Sequence, residues 1–232
     1  MCGIVGIYLK TKKFEKNLGR MLSGMLNNME SRGPDSAGFA IYKNEGNKIY
    51  KFSLCINNLN FNIFKKELSK KIKKIKLNQI SDHVILKTEE RPKKVIEIIN
   101  SSFPEVSIVG YGKSIEIFKQ IGNPKDVVKK FKLDNFSGTH GIGHTRMATE
   151  SAITTDGSHP YSTGEDECLV HNGSLSNHNN LRRDLTQKGK TFNSENDTEV
   201  AAGYVSNSLS NNKSLKDTLT AGLKDLDGFY TF

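Results

Sequence analysis

Residues 2–8 read Cys-Gly-Ile-Val-Gly-Ile-Tyr, and this stretch decides where the fold begins. Small and β-branched residues alternate through it, which is typical of a strand with a buried face. Because the strand starts at the second residue, we expect this end of the chain to be buried rather than to form a free tail.

A helix and a second strand are predicted to follow. Apolar residues recur at helical spacing over Phe14–Met29 and predict an amphipathic helix. Residues 31–38, Ser-Arg-Gly-Pro-Asp-Ser-Ala-Gly, predict a turn, and a strand is expected over Phe39–Tyr42.

The stretch from about 44 to 136 differs in composition, because it is rich in Lys and Asn. The predicted elements are a basic helix over Lys65–Lys76, a strand over His83–Lys87, a helix over Pro92–Asn100, a strand over Val106–Val109, a helix over Ser114–Gln120 and a helix opened by Asn123 and Pro124. Strands that alternate with helices indicate a small α/β insertion over 44–136 within a domain spanning 1–232.

Composition limits the classes of partner. The chain has 232 residues with 35% hydrophobic content, enough for one sizeable core. Its formal charge is +9, but many of the lysines lie on the helix predicted over Lys65–Lys76, where apolar residues at helical spacing give it a solvated basic face. No aromatic stacking motif accompanies the charge, so we expect no nucleic-acid partner.

Location is predicted from what the sequence lacks. No apolar run approaches the ~20 residues that span a bilayer, and the opening residues do not resemble a secretory signal. Cys2, Cys55 and Cys168 are too few and too scattered for a disulfide framework. We therefore expect a soluble, cytoplasmic protein with no membrane partner.

Polar residues collect after Gly138, between short apolar segments, where binding and catalytic groups often lie. A strand is predicted over Cys168–His171, a turn at Asn172-Gly173 and a helix over Asn177–Lys188. Residues 226–232 alternate like a strand that lacks a hairpin partner, so we expect the sequence to be incomplete at its C-terminus.

Cys2 permits a specific chemistry. Removal of Met1 would leave one residue carrying both a thiol and a free α-amine, and an amine with a pKa of about 7.7–8.0 can accept the thiol proton at neutral pH. Position alone favours the other interpretation, a small residue of the hydrophobic core.

Six motifs in order resemble those of class II glutamine amidotransferases, which are N-terminal nucleophile hydrolases. They are MCGIVGIY (1–8), SRGPDSAGFA (31–40), GIGHTRMATES (141–151), GSHP (157–160), LVHNGSLSNH (169–178) and ENDTEVAA (195–202). They lie on both sides of the predicted insertion but not within it. The resemblance implies an α+β fold, a four-layer αββα sandwich of two mainly antiparallel sheets, with residues 3–8 as a central strand and Cys2 opening into a cleft.

The resemblance also implies roles for single residues. Cys2 would attack the side-chain amide of glutamine and form a thioester. Arg146 would hold the substrate α-carboxylate and Asp197 its α-ammonium, while Asn172 and Gly173 would stabilise the oxyanion. The catalytic set further includes Arg32, whose charge would favour the thiolate, and the substrate-binding set includes Thr149 and His159.

Two alternatives concern other ligands. His144, His159 and His171 could form a metal site by composition, but their spacing matches no recognised zinc pattern, so we expect no metal. Residues 109–114, VGYGKS, resemble a phosphate loop only superficially, because Ser107 occupies the position where that motif requires glycine. A strand-to-helix turn is predicted there.

The partner is inferred from departures within the motifs. Met147 and Glu150 replace the Trp and His typical of aminosugar synthases, and residues 173–183, GSLSNHNNLRR, are a distinctive variant. These features resemble the amidotransferase subunit of N-methylglutamate synthase and of archaeal-type glutamate synthase. That implies synthase subunits as partners, FMN in a partner subunit and no cofactor in this chain. The alternatives are the glutaminase domain of an aminosugar or purine-pathway amidotransferase, and a non-catalytic assembly subunit that retains the fold.

Overall fold

The computed structural model describes residues 2–44, 46, 48–57, 59–148, 152–162 and 164–232. Its strands are β1 (Gly3–Tyr8), β2 (Ser36–Tyr42), β3 (Tyr50–Cys55), β4 (Lys76–Ile80), β5 (His83–Thr88), β6 (Ser107–Gly112), β7 (Ile115–Ile121), β8 (His140–Arg146), β9 (Asn172–Leu175) and β10 (Gly228–Thr231). Its α-helices are α1 (Leu18–Asn28), α2 (Phe61–Lys71), α3 (Pro92–Ser102), α4 (Pro124–Phe131), α5 (His178–Gln187), α6 (Asp197–Ser210) and α7 (Leu215–Asp225).

The first sheet has the strand order β1-β8-β2-β7 and is antiparallel throughout. The prediction that residues 3–8 form a central strand was wrong, because β1 is an edge strand among the described strands. The late segment β8 lies between β1 and β2, and local sequence patterns do not reveal such long-range pairing.

Helices α1 and α4 cover one face of the first sheet. Leu18, Leu22 and Leu26 recur every four residues along α1, and all three are buried with Phe39 of β2. Each buried side chain of this size stabilises the fold by about 1.5–3 kcal/mol. The helix predicted over Phe14–Met29 is present, but its first part is the 3-10 turn Lys12–Asn17.

The second sheet has the order β4-β5-β3-β6, and α2 and α3 cover its outer face. Helix α2 buries Phe64 and Leu68. The basic helix was predicted to continue to Lys76, but it ends at Lys71, because Ile72 is extended and buried beneath the sheet. Two antiparallel sheets with helices on their outer faces confirm the predicted α+β class.

The stretch 44–136 divides between the two sheets. Its first part, up to Gly112, forms the second sheet with its helices, whereas β7 pairs with β2 along seven residues and α4 packs on α1. The helix predicted over Ser114–Gln120 was therefore wrong. Ile115 and Ile117 point to one face and Phe118 to the other, which is the period of a strand. The insertion itself stays a proposal that rests on the flanking motifs.

The turn between β6 and β7 carries the sequence that resembled a phosphate loop. It joins two strands, and its backbone N–H groups at Lys113, Ser114 and Ile115 donate to the carboxylate of Asp166 at 2.8–3.0 Å. The Asp166 carboxylate thus already accepts from the N–H groups that would otherwise bind a phosphate.

The segment after β8 lies on the face of the first sheet opposite α1. A strand was predicted over Cys168–His171, but the strand β9 starts at Asn172 and pairs with β10. Helix α6 packs behind β9. No helix in the described part of the chain is both long and apolar enough to cross a membrane.

Candidate active site

Cys2 lies half-buried beside the C-terminal end of β8. The antiparallel register pairs Gly3 with Thr145, so the residue before β1 comes next to Arg146 and Met147. The Cys2 Sγ atom is 3.8 Å from the carbonyl oxygen of Met147. Sheet pairing, rather than a flexible loop, therefore places the thiol.

A cavity of about 570 Å³ opens at Cys2. Residues from β8, β9 and the start of α6 share it, and the lining comprises Cys2, Arg146, Met147, His159, His171, Asn172, Gly173, Ser174, His178, Asn179, Glu195, Asn196, Asp197 and Thr198. Six of the eight predicted site residues are among them: Cys2, Arg146, His159, Asn172, Gly173 and Asp197.

Arg146 supplies positive charge to this cavity from the last position of β8. It is only 4% exposed, and its Nη1 donates to the carbonyl oxygen of Ala152 at 3.2 Å. The segment that follows is held by Asp35, whose carboxylate accepts from the N–H of Ala148 at 2.7 Å. A buried guanidinium fixed on a strand is well placed to bind a carboxylate with two parallel hydrogen bonds.

Asp197 supplies negative charge to the same cavity from the first turn of α6. Its Oδ2 accepts from the N–H of Leu175 at 2.8 Å, and its Oδ1 lies 3.5 Å from His171 Nδ1. Burial alone would raise the pKa of this carboxyl, but the hydrogen bonds from His171 and Leu175 hold the pKa below its usual value. Asp197 is therefore ionised at neutral pH, and it lines the same cavity as the cation Arg146.

Asn172 and Gly173 begin β9 at the mouth of the cavity. The Asn172 side-chain amide donates to the carbonyl oxygen of Cys2 at 3.3 Å. Gly173 has φ +136°, and a β-carbon there would lie 2.0 Å from the carbonyl oxygen of Phe229. Only glycine fits this position, so the backbone of residue 173 can approach a ligand closely.

This chain resembles known proteins named as glutamine amidotransferases or as similar to them. A family model described as a glutamine amidotransferase domain matches residues 134–212. The chain is 48% identical to the glutamine amidotransferase-like protein GlxB of Rhizobium meliloti, with all of this chain and 78% of that protein covered. It is 31% identical to a putative glutamine amidotransferase of Methanothermobacter thermautotrophicus, again over the whole chain and 80% of the relative.

The chain belongs to the glutamine amidotransferase family. A glutamine–fructose-6-phosphate aminotransferase of Pseudomonas putida is 38% identical over 48% of this chain and 18% of that enzyme. The solved structure of glutamine phosphoribosylpyrophosphate amidotransferase from B. subtilis shares the fold, with a TM-score of 0.56 at 18% identity. It covers 98% of this chain, which spans about a third (33%) of that structure.

Arg32, one of the residues predicted for the amidotransferase site, does not line the described cavity. Arg32 is exposed, and its Nε donates to the carbonyl oxygen of Cys2 at 3.3 Å rather than contacting the thiol. Thr149 lies outside the described residues. The role predicted for Arg32 beside the thiol stays a prediction.

Thr198 joins two histidines of the amidotransferase and was missed in the sequence. Its buried hydroxyl lies 2.8 Å from His159 Nε2 and 2.8 Å from His171 Nδ1. The same hydroxyl donates to Asp197 Oδ1 at 3.4 Å, so it connects both rings to the carboxylate that lines the cavity. A threonine directly after Asp197 in ENDTEV was the available signal, but threonine at the start of a helix is too common to be specific.

His144 completes this buried group. Its ring lies 3.8 Å from that of His159, centroid to centroid, and its Nε2 is 2.8 Å from the carbonyl oxygen of His171. Burial lowers the pKa of His144 to about 3 and that of His159 well below its usual range. Both rings are therefore neutral at physiological pH and support the loops of the cavity without adding charge.

One group of potential metal ligands converges elsewhere in the described part of the chain. It consists of Cys55, Asp82 and His83, where the end of β3 pairs with the start of β5 in the second sheet. Asp82 already pairs with Lys130 at 2.9 Å and accepts from Gln120. Burial raises the pKa of the Cys55 thiol to about 11, so this cysteine is protonated and buried rather than poised as a ligand.

Proposed function

We propose that this chain hydrolyses the side-chain amide of glutamine through Cys2 and passes the ammonia to a partner synthase. The observation that carries the proposal is the shared cavity, which is lined by the Cys2 thiol, the buried cation Arg146 and the ionised carboxylate of Asp197. The free amino acid has a matching pair of charges at its α-carbon, and its side chain extends away from them.

The chemistry assigned to Cys2 follows from the N-terminal position. After removal of Met1, the α-amine takes the thiol proton and the thiolate attacks the amide carbon. The oxyanion that forms is stabilised by the Asn172 amide and the Gly173 N–H. The C–N bond then breaks, the protonated nitrogen leaves as ammonia, and water hydrolyses the resulting thioester to glutamate. The cytoplasm is the proposed compartment, since reducing conditions keep the thiol free.

The proposed partner is a synthase of the N-methylglutamate or glutamate synthase type, with FMN in the partner. Support comes from the departures at Met147 and in residues 173–183, and from relatives that resemble the whole chain rather than half of it. The two relatives named as amidotransferase or amidotransferase-like proteins match 100% of this chain, whereas the aminosugar enzyme matches 48%.

The alternative of an aminosugar amidotransferase is supported by the 38% identity to the Pseudomonas putida enzyme over 48% of this chain. Co-purification from native cells separates the two proposals. A flavin-containing partner, detected by its visible absorbance, supports the first. A partner that binds a sugar phosphate contradicts it.

Glutaminase activity is tested with a glutamine analogue that carries an electrophile in place of the amide. Intact-protein mass spectrometry should show loss of Met1 and one equivalent of label on Cys2. Cys2→Ser should remove both the label and glutamine hydrolysis, because a hydroxyl is far harder to ionise than a thiol. Hydrolysis that persists in Cys2→Ser would disprove the assignment, and a retained Met1 without labelling would favour a non-catalytic subunit.

A further inference from the structure

Lys119 is a buried cation on β7 that the proposed chemistry does not use. The residue is only 5% exposed, and it points to the face of the first sheet opposite α1. Its Nζ donates to the carbonyl oxygens of Asp156 at 3.0 Å and Ser158 at 2.8 Å, and it lies 4.4 Å from the centre of the Tyr161 ring. Both hydrogen-bond acceptors are neutral.

Placing an ammonium group there is costly. Burial lowers the pKa of Lys119 to about 8, and the carboxylates of Asp156 and Glu199 offset only part of this shift. The cost of burying the ammonium group is offset by its two hydrogen bonds. They satisfy the carbonyl groups of Asp156 and Ser158, and a buried carbonyl without a donor is itself destabilising.

The loop that Lys119 holds, residues 152–158, contacts Arg146, which lines the candidate substrate site. Ala152 accepts from Arg146, and Gly157 lies so close that a β-carbon on it would be 3.6 Å from Arg146 Nη1. The carbonyl oxygen of Gly157 also accepts from the side chain of Asn196 at 3.4 Å, next to Asp197. The loop therefore touches Arg146 directly and reaches the residue that precedes Asp197.

The neighbour of Lys119 on β7 anchors the same loop. Gln120 accepts from the Thr155 hydroxyl at 2.5 Å, and its Nε2 donates to Asp82 of the second sheet. Lys119 thus binds two backbone carbonyl groups of the loop, and Gln120 binds one of its side-chain hydroxyls.

We propose that Lys119 is a positioning residue that holds the 152–158 loop against Arg146 and thereby sets the affinity for the substrate carboxylate. This inference rests on the proposed glutamine hydrolysis. The contacts of Lys119 are with Asp156, Ser158 and Tyr161, and none of these is a proposed catalytic residue. We therefore expect Lys119 to affect substrate binding rather than the chemical step.

The test compares Lys119→Met with wild type in the full chain. Methionine keeps most of the volume but removes all three donors. We expect KM for glutamine to rise roughly 10- to 100-fold with little change in kcat, since small misplacements of binding groups have effects of this size. Hydrogen exchange at the Gly157 and Ser158 amides should accelerate. Lys70→Met, on the exposed face of α2, is the matched control and should change neither quantity.

The outcomes distinguish a failure of the positioning role of Lys119 from a failure of the proposed glutamine hydrolysis. If wild type hydrolyses glutamine and Lys119→Met has unchanged KM and unchanged exchange, the positioning role is wrong. A fall in kcat at constant KM would equally overturn it. If wild type does not hydrolyse glutamine, the proposed function fails, and the exchange rates alone still show whether Lys119 holds the loop. If Lys119→Met does not fold, Lys119→Gln replaces it, because glutamine keeps part of the donor set. We then expect a smaller rise in KM, again with little change in kcat.

Discussion

The side-chain amide of Asn172 donates to the carbonyl oxygen of Cys2 across 3.3 Å, although the two residues are 170 positions apart. This bond keeps the amide next to the thiol before any substrate is bound. A donor that is already fixed needs no reorganisation when charge develops beside it.

Asn172→Ala should therefore act on the chemical step. We expect kcat to fall by about 100- to 1000-fold with little change in KM, because in the proposed mechanism the amide acts mainly on the oxyanion of the transition state. Steady-state kinetics on the assembled complex, with circular dichroism to confirm folding, measures both constants. A variant that changes only KM would show that Asn172 binds the ground state instead.

Arg146→Lys should show the opposite pattern. A lysine keeps the charge but loses the planar pair of donors, so KM should rise by about 10- to 100-fold while kcat changes little. Asp197→Asn should also raise KM, because it removes the ionised partner of the α-ammonium group while keeping an acceptor for Leu175. If either variant changed kcat alone, the roles assigned to these two residues would be wrong.

Thiol reactivity should distinguish Cys2 from the other two cysteines. Burial raises the pKa of Cys55 to about 11 and that of Cys168 to about 12, so both thiols stay protonated at pH 7.5. Iodoacetamide should therefore label Cys2 first, and glutamine should slow that labelling. Peptide mass spectrometry shows in which order the three cysteines are labelled. Cys55→Ser and Cys168→Ser are the controls and should leave the rate at Cys2 unchanged; preferential labelling of Cys168 would contradict the assignment.

Acid should destabilise the protein through His144. Its folded-state pKa is about 3, while in the unfolded chain it takes up a proton near pH 6.5. Because the pKa is lowered on folding, stability is complete above pH 6.5 and is lost as the pH falls toward 3. The loss at pH 5.0 is about 2 kcal/mol for this residue alone. Urea unfolding at pH 7.5 and 5.0 tests it, and His144→Gln should show a smaller difference between the two conditions than wild type does.

The second sheet should be removable without loss of glutamine hydrolysis. The ends of the segment 44–113 are already adjacent, since the N–H of Lys43 donates to the carbonyl oxygen of Ser114 at 2.9 Å. A short turn in its place would make β2 and β7 a hairpin. We expect a lower melting temperature, because Cys55 and Val109 pack against β7, but retained glutaminase activity and weaker association with the partner. Loss of the fold would show that the second sheet belongs to the core.

Local patterns predicted the elements whose burial is periodic. The strand after Cys2, the amphipathic helix that ends near Met29 and the helix opened by Asn123 were all found, and Asn123 caps α4 through the N–H of Lys125. Ser114–Gln120 was predicted as a helix because a short apolar run has no unique period, and only its pairing with β2 makes it a strand.

The site was predictable as a set of residues but not as an arrangement. The motifs identified Cys2, Arg146 and Asp197, which do share one cavity. Thr198 and Lys119 were missed for a physical reason. A hydroxyl that bridges two rings and an ammonium that supports a loop depend on contacts between distant segments, and no local pattern encodes those.

The pairing of Gly3 with Thr145 has a consequence for how the protein is made. Ribosomes extend chains at about 5–20 residues per second, so the roughly 140 residues between these partners take about 7–30 s to synthesise. Throughout that interval β1 has no β8 to pair with, and the peptide bond between Met1 and Cys2 stays accessible to an aminopeptidase. The order of translation thus leaves time for removal of Met1, which the proposed role of Cys2 requires, before β1 pairs with β8.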